Sequence, residues 1–336
     1  MKNGVIYIYS PRFVVWSAGI RVLHYLCDEL NNAGFSAFLV IHGSNVKPVT
    51  SSVLNTPELT KEIAKLHKSE GQRVIAVYPE TILGNPLNAP YVIRWILNYS
   101  SLLAGNSVFK NEKIIAYTNR LAEDYSLKSG AKPEVMFIPA IKSTEINNVQ
   151  KNQIVKKKDL HLVYAQKYRA LGGTPETDYQ SFEEITRFGK DAPSRDKTLS
   201  LIREASIFHA YENTTAISEA CLLGTPVLCH QNEFFSELIA AEELPFSGIA
   251  WSEDKIQLPD IVQNLAILKE AEKNTGARLK EIFNNLDFDL ATAPPRLVKI
   301  PRRGLFTKHS FSRGFQVLTQ KGPIVFLRFL KNYIGR

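Results

Sequence analysis

Apolar and polar positions alternate along the chain in two distinct rhythms. Val5, Tyr7 and Tyr9 recur at every second position in 4–10, the period of a half-buried strand. Ile20, Leu23, Leu26, Cys27 and Leu30 then recur every three or four residues, which predicts a helix that Gly34 stops, and 35–41 reads as a second strand. The same alternation continues. Strands are expected at 71–78, 113–117 and 135–138, and Pro90 opens an expected helix with Val92, Ile93, Ile96 and Leu97 as its apolar stripe. Beyond it, 161–164 is an expected strand, Gly172 to Pro175 a turn, 185–187 a short strand and 196–205 a helix. A strand over 206–211 gives way to polar Glu212 to Thr215, then to a helix over 216–223 that Gly224 and Pro226 end, then to a strand from Val227. Helices are expected at 234–242 and 261–283. Strands alternating with helices predict an α/β fold with parallel sheets.

At 336 residues the chain exceeds one comfortable core, and two domains of about 150 residues are expected. The polar, lysine-rich stretch 147–158 sets the boundary, giving one Rossmann-like domain over 1–155, a second over 156–295 and a tail over 296–336. The net charge of +8 belongs to that tail. After Asp289 there are ten Lys or Arg and no acid, so residues 1–289 carry a net −2 and are not expected to bind nucleic acid. The tail mixes these cations with Phe, Leu and Ile, and 324–333 has the makings of a basic amphipathic helix that lies on an anionic membrane; the other reading is a helix crossing back onto the first domain. Cys27, Cys221 and Cys229 sit in apolar surroundings, as buried thiols in a reducing compartment do. The apolar run at 5–9 is too short for a signal peptide, and no stretch has the roughly 18 apolar residues of a membrane span. A cytoplasmic protein is expected, with no metal and no cofactor beyond its substrates.

The candidate chemistry gathers at 206–228. Thr214 or Thr215 stands where an N-cap belongs, so free N–H groups and the positive helix end offer a phosphate site. Glu219 lies one turn further, about 6 Å along the axis, where a carboxylate can accept from both hydroxyls of a ribose. An ordinary capped helix with a solvated Glu219 fits the same spacing.

Glu212, Thr215, Glu219-Ala220 and Gly224-Thr225-Pro226-Val227 resemble the donor-site segment of glycosyltransferases of the GT-B fold. Six residues separate Glu212 from Glu219, where many retaining members have seven. A second block, from Tyr78-Pro79-Glu80 through Gly84-Asn85-Pro86 to Arg94-Trp95 and Leu97-Asn98, resembles bacterial surface-polysaccharide (lipopolysaccharide or capsule) glycosyltransferases. The resemblance implies two Rossmann-like domains facing a central cleft and transfer of a sugar from a nucleotide-sugar to a surface-glycan acceptor, lipid-linked, at the inner face of the bacterial cytoplasmic membrane. It implies that Glu212, Asn213, Thr214, Thr215 and Glu219 hold the donor, with Lys167 and Arg169, after the first strand of the second domain, on its diphosphate. Lys167 would stabilise the leaving group's charge and Glu80 would act as the acceptor-side base; the equal alternative for Glu80 is a carboxylate that caps its own loop's backbone amides. Gly19, at the mouth of the first helix, is similar to the glycine loop of the amino-terminal domain, and is equally a turn residue. Arg94 reads first as a solvated or locally paired helix residue, with balance of a donor or acceptor phosphate as the other reading, and His24 and His209 read as structural. Asp287-Phe288-Asp289 matches a metal-binding triplet of another glycosyltransferase fold and reads here as a turn. The alternatives are a nucleotide-sugar epimerase of the same fold and a non-catalytic nucleotide-binding scaffold.

Overall fold

A computed structural model of the chain describes residues 4–43, 49–99, 108–150, 157–176, 181–186, 193–286 and 298–300. Asp287-Phe288-Asp289 and most of the basic tail, 324–333 included, lie outside the described residues. The chain forms two compact units. The first runs to Ala140, the second from Ile141 to Ala271, and the chain re-enters the first at Glu272. The α/β class and the two parallel sheets expected from the sequence are both present.

The first sheet contains β1 (Gly4–Pro11), β2 (Ala37–His42), β3 (Arg73–Pro79), β4 (Tyr91–Ile96), β5 (Lys113–Ala116) and β6 (Glu134–Val135) in the order β2-β1-β3-β4-β5-β6. All pairs are parallel, with Ile8 level with Leu39 and with Val77. Helices α1 (Ala18–Asn32), α2 (Lys61–Ser69) and α3 (Asn119–Ser129) complete the described crossovers. The sheet is buried on both faces, as crossover helices require. Ile6, Ile8, Ile75, Val77, Ile93 and Trp95 share one face with Leu23, Leu26 and Leu30 of α1, while Val5, Tyr7, Tyr9, Val74, Ala76 and Tyr78 share the other. That division is the period-2 rule, and each fully buried aliphatic side chain contributes roughly 1.5–3 kcal/mol.

The second sheet contains β7 (His161–Tyr164), β8 (Phe182–Glu184), β9 (Ile207–Ala210), β10 (Val227–Cys229) and β11 (Ile249–Ala250) in the order β11-β10-β9-β7-β8, again all parallel. Its helices are α4 (Ser143–Gln150), α5 (Gln166–Ala170), α6 (Arg195–Glu204) and α7 (Thr215–Leu222), and α8 (Ile261–Asn284) follows. Gly224 ends α7 at φ +80°, a conformation that disfavours any side chain, and an added Cβ there would stand 2.8 Å from Ile261 Cδ1.

Two expected elements give way, and the units are drawn differently from the domains read in the sequence. The expected helix from Pro90 is strand β4, because Tyr91 to Ile96 is buried between β3 and β5 and a strand with both faces covered carries the same continuous apolar run as a helix stripe. The expected helix at 234–242 is a set of turns. Asn232 Oδ1 accepts from Phe234 N at 3.0 Å, and Asn213 binds Glu237 O and Ile239 N, taking the backbone groups that a helix needs. The sequence places the division between domains at 155/156, whereas the units divide at Ala140. Arg195 and Arg203 of α6 explain this, for they bind Glu145 and the Val149 carbonyl of α4 at 2.9 Å each, so that α4 belongs with the second unit. Finally, the described return to the first unit is made by α8, whose Leu279, Ile282 and Phe283 enter that unit's core, with Val298 and Ile300 packing on its other face.

Candidate functional site

Open parallel sheets bind ligands beyond the carboxyl ends of their strands, where the strand order reverses. In the second sheet that reversal falls between β7 and β9, with Tyr164 level with Ala210. The loops leaving these two strands carry Lys167 and Arg169 on one side and Glu212, Asn213, Thr214 and Thr215 on the other. The fold therefore brings six of the sequence-predicted donor residues to one crevice of one unit.

Their side chains are used differently from the sequence reading. Thr214 is the N-cap, extended at φ −151°, and its hydroxyl accepts from Ala216 N at 3.3 Å, so Thr215 is the first helical residue. Glu212 is buried, and its Oε2 accepts the backbone N–H of Lys167 and, at 3.0 Å, that of Tyr168. It caps the short helix α5, and its charge faces the positive end of that helix. Glu212 thus ties the two loops together through Oε2. Asn213 does the same for the loop after β10 through its bonds to Glu237 and Ile239. Arg169 is paired with Glu184 of β8, two oxygens lying 2.8 and 2.9 Å from its Nε. Lys167 is the more exposed of these two residues.

Glu219 departs furthest. The sequence reading has it offering an open carboxylate to a ribose, but its side chain is 2% exposed and its Oε2 lies 2.7 Å from Arg195 Nη1. Arg195 also holds Glu145 at 2.9 Å. One guanidinium between two carboxylates joins α4, α6 and α7, and the pair of anions raises the arginine's pKa although burial alone would lower it. Sequence reasoning missed Arg195, yet a signal was there. A cation in the first turn of a helix opposes the macrodipole and implies an anionic partner elsewhere.

The first sheet reverses between β1 and β3. Glu80 follows β3, buried, with its Oε2 accepting from Leu97 N at 2.9 Å just past β4. Through this bond it holds the backbone at the end of the neighbouring strand. Arg94 is fully buried in β4, not on a helix. It pairs with Glu112 at 2.8 Å, donates to the carbonyls of Pro79, Ile82 and Gly84, and lies over Tyr78 and Phe109 at 5.0 and 4.4 Å. Arg94 is thus locally paired and clasps the 79–84 loop. Gly19 lies within α1 with nothing within 4 Å of an added Cβ, so no close approach there demands a glycine. His24 Nε2 faces the Pro11 carbonyl at 3.0 Å and therefore carries the proton and donates it; burial holds its pKa down to about 4.

A feature absent from the sequence reading runs through the second sheet. His161 Nδ1 lies 2.8 Å from His209 Nε2, and His209 Nδ1 lies 2.9 Å from His230 Nε2. Tyr211 stacks on His230 at 4.1 Å and 4°, and Tyr168 on Tyr211 at 5.4 Å. The only sequence cue is that His161 and His209 fall in strands and His230 directly follows one.

No family model matches the sequence, and no curated protein matches it. Among solved structures the chain is similar to AviGT4, a glycosyltransferase involved in avilamycin A biosynthesis, at 16% identity and a TM-score of 0.48, over 88% of this chain and 100% of that one. It is also similar to an α-glucosyltransferase in complex with UDP and a 13-mer DNA, at 10% identity, a TM-score of 0.41 and coverage of 84% and 94%. For T4 phage BGT in complex with its UDP-glucose substrate the identity is 11%, the TM-score 0.39 and the coverage 86% and 96%. At these scores the likeness assigns no residue of this chain a role.

Proposed function

We propose that this chain is a glycosyltransferase of the GT-B type that moves a sugar from a nucleotide-sugar to a bacterial surface-glycan acceptor, lipid-linked, at the inner face of the cytoplasmic membrane. One observation carries the reading: the strand order of the second sheet reverses where the loops bearing Lys167 and Thr214-Thr215 leave β7 and β9. The diphosphate rests on the N–H groups at the start of α7, and the Lys167 ammonium neutralises the charge that grows on it as the glycosidic bond breaks. Glu212 fixes the spacing of those two elements. Glu219 holds α7 through Arg195, and a ribose would have to draw its carboxylate away from that ion pair. In the first unit Glu80 is the acceptor-side base once a substrate hydroxyl replaces the Leu97 amide as its partner. The reaction needs no metal, so a chelator leaves turnover unchanged. Among the described residues no helix is long and apolar enough to cross a membrane, and the basic segment beyond residue 300 supplies the membrane contact.

The test is a mass-spectrometric screen of nucleotide-sugars, each with and without lipid-linked acceptors. The expected result is sugar on the acceptor. Epimerised donor in the absence of acceptor would establish the epimerase instead, and donor bound but never consumed, the scaffold. Lys167→Ala is expected to weaken donor affinity about tenfold by calorimetry, a single charge-assisted contact of roughly 1.4 kcal/mol. Unchanged affinity would remove Lys167 from the site.

A further inference from the structure

Three imidazoles in hydrogen-bonded series are an unusual filling for a parallel sheet, whose buried positions ordinarily hold Val, Ile and Leu. The register explains how they meet. His161 is level with Ile207, and His209 is level with Val163 on one side and Leu228 on the other. Paired residues share a face and the side-chain period is two, so His161, His209 and His230 all lie on one face of the sheet. Each stands two residues nearer the carboxyl ends than the one before. The series therefore advances four residues, about 13 Å along the strand direction, from the start of β7 to the loop after β10.

The ring geometry is that of conduction, not stacking. The centroids of His161 and His209 are 5.0 Å apart at 21°, and those of His209 and His230 are 5.2 Å apart at 30°. Nitrogens within 2.9 Å and centroids this far apart place the rings edge to edge and nearly coplanar, with each N–H aimed at the next lone pair. A neutral imidazole has one donor and one acceptor nitrogen, so two consecutive N···N bonds allow only two proton arrangements. Either every ring donates toward His230 or every ring donates toward His161. A proton that enters at one end and leaves at the other converts the first arrangement into the second.

The two ends differ. His209 is buried, whereas His161 and His230 are each part-exposed. Desolvation first, and then the two neighbouring rings, hold His209 down to about 3, so it passes a proton without storing one. His230 lies against Tyr211, one residue before Glu212, and Asn232 Nδ2 binds the Tyr211 carbonyl at 3.0 Å, which fixes the loop after β10 beside the loop that carries Thr214. Among the described residues the titratable groups facing the series include its own rings, the Tyr211 phenol and, at the His230 end, where burial lowers the pKa most, Glu176 and Glu253, whose charges favour protonation.

We infer that His161, His209 and His230 form a proton wire across the second sheet, which delivers a proton through His230 to the anionic leaving group held at the carboxyl edge. Delivery rests on the glycosyl-transfer reading; the wire itself does not. In the step served, the bond from the sugar's anomeric carbon to the diphosphate oxygen breaks and a bond to the acceptor oxygen forms. The acceptor's proton passes to its base, and one proton from solvent enters at His161 and leaves His230 for the departing diphosphate oxygen. Proton number balances and no other reactant is needed.

The test is nitrogen-15 NMR of the histidine side chains in the full chain. A wire shows nitrogen–nitrogen scalar coupling across both contacts in the native protein, and His230→Phe reverses or randomises the tautomer of His161 two strands away, with His24 and His67 in the first unit serving as controls. Absent couplings, or a His161 tautomer indifferent to the substitution, would overturn the wire, and the coupling measurement decides the matter if the variant does not fold. Inorganic pyrophosphate then serves as the leaving-group probe. Delivery predicts that it shifts the amide of Ala216 and the resonances of His230 and His161 together. A shift at Ala216 with the imidazoles unmoved would overturn delivery and leave the donor site standing, whereas no shift at Ala216 would overturn the donor site and delivery with it.

Discussion

The two units share a plan and secure it by different means. In each, a strand order of the 2-1-3 type puts a crevice at the carboxyl ends of the first and third strands. The first unit's leading strands are long, β1 of eight residues and β3 of seven, with an apolar layer on both faces. The second unit's strands are four residues or fewer. A short strand makes few ladder bonds and buries few side chains, so polar groups take over the work of alignment. Glu212 ties β9's loop to α5, Arg195 ties three helices, and three histidines cross the sheet. In the first unit two buried ions, Arg94 and Glu80, instead serve one local region, with Arg94 gripping 79–84 and Glu80 gripping Leu97. Polar residues with the pattern of a ligand site are thus, in both units, first of all the fasteners of that site.

Substitutions can break this comparison. The largest effect is expected for Arg94→Met, which leaves Glu112 without this partner and removes the arginine's donation to three carbonyls. A loss of about 3–5 kcal/mol is expected in the first unit, read by denaturant unfolding with hydrogen exchange assigning the loss to β3 and β4. Equal loss of protection in both units would show that the clasp is not local. Next is Arg195→Met, expected to cost about 3 kcal/mol in the second unit because Glu219 stays buried without its counter-charge. Adding Glu219→Met should restore much of it. A double-mutant cycle with coupling below about 0.5 kcal/mol would deny the ion pair its role.

A smaller effect sharpens the contrast with one ring from each unit. His24 and His209 titrate near 4 and 3 when folded and near 6.5 when unfolded. Below pH 6.5 the unfolded chain binds protons that the native rings refuse, so their stabilisation is complete above that pH and is lost as pH falls toward the native values. The slope is about 1.4 kcal/mol per pH unit for each ring. His24→Gln should flatten the acid loss of the first unit and His209→Gln that of the second; slopes unchanged by either substitution would show that the rings are not the cause. The smallest effect belongs to Arg169→Ala. Its pair with Glu184 is 41% exposed on the arginine side, and a change under about 1 kcal/mol is expected. A larger one would mean that Arg169 aligns β8 as Glu212 aligns α5.

Local pattern was enough for most of the elements. The spacing at 20–30 fixes α1, the polar break at Glu212 to Thr215 fixes the start of α7, and Gly224 fixes its end, because each depends on the chain within a few residues of itself. The sequence also placed Lys167 after one strand and Glu212 and Thr215 after another, and the topology set those two strands side by side although β8 lies between them in the chain. The tertiary structure decided what each side chain does there. Whether 91–96 is helix or strand, whether Glu219 meets a ligand or Arg195, and whether three histidines spread over 161–230 touch one another all depend on partners distant in sequence. A buried charge takes the nearest satisfying partner in space, and spacing along a chain does not encode which partner that is.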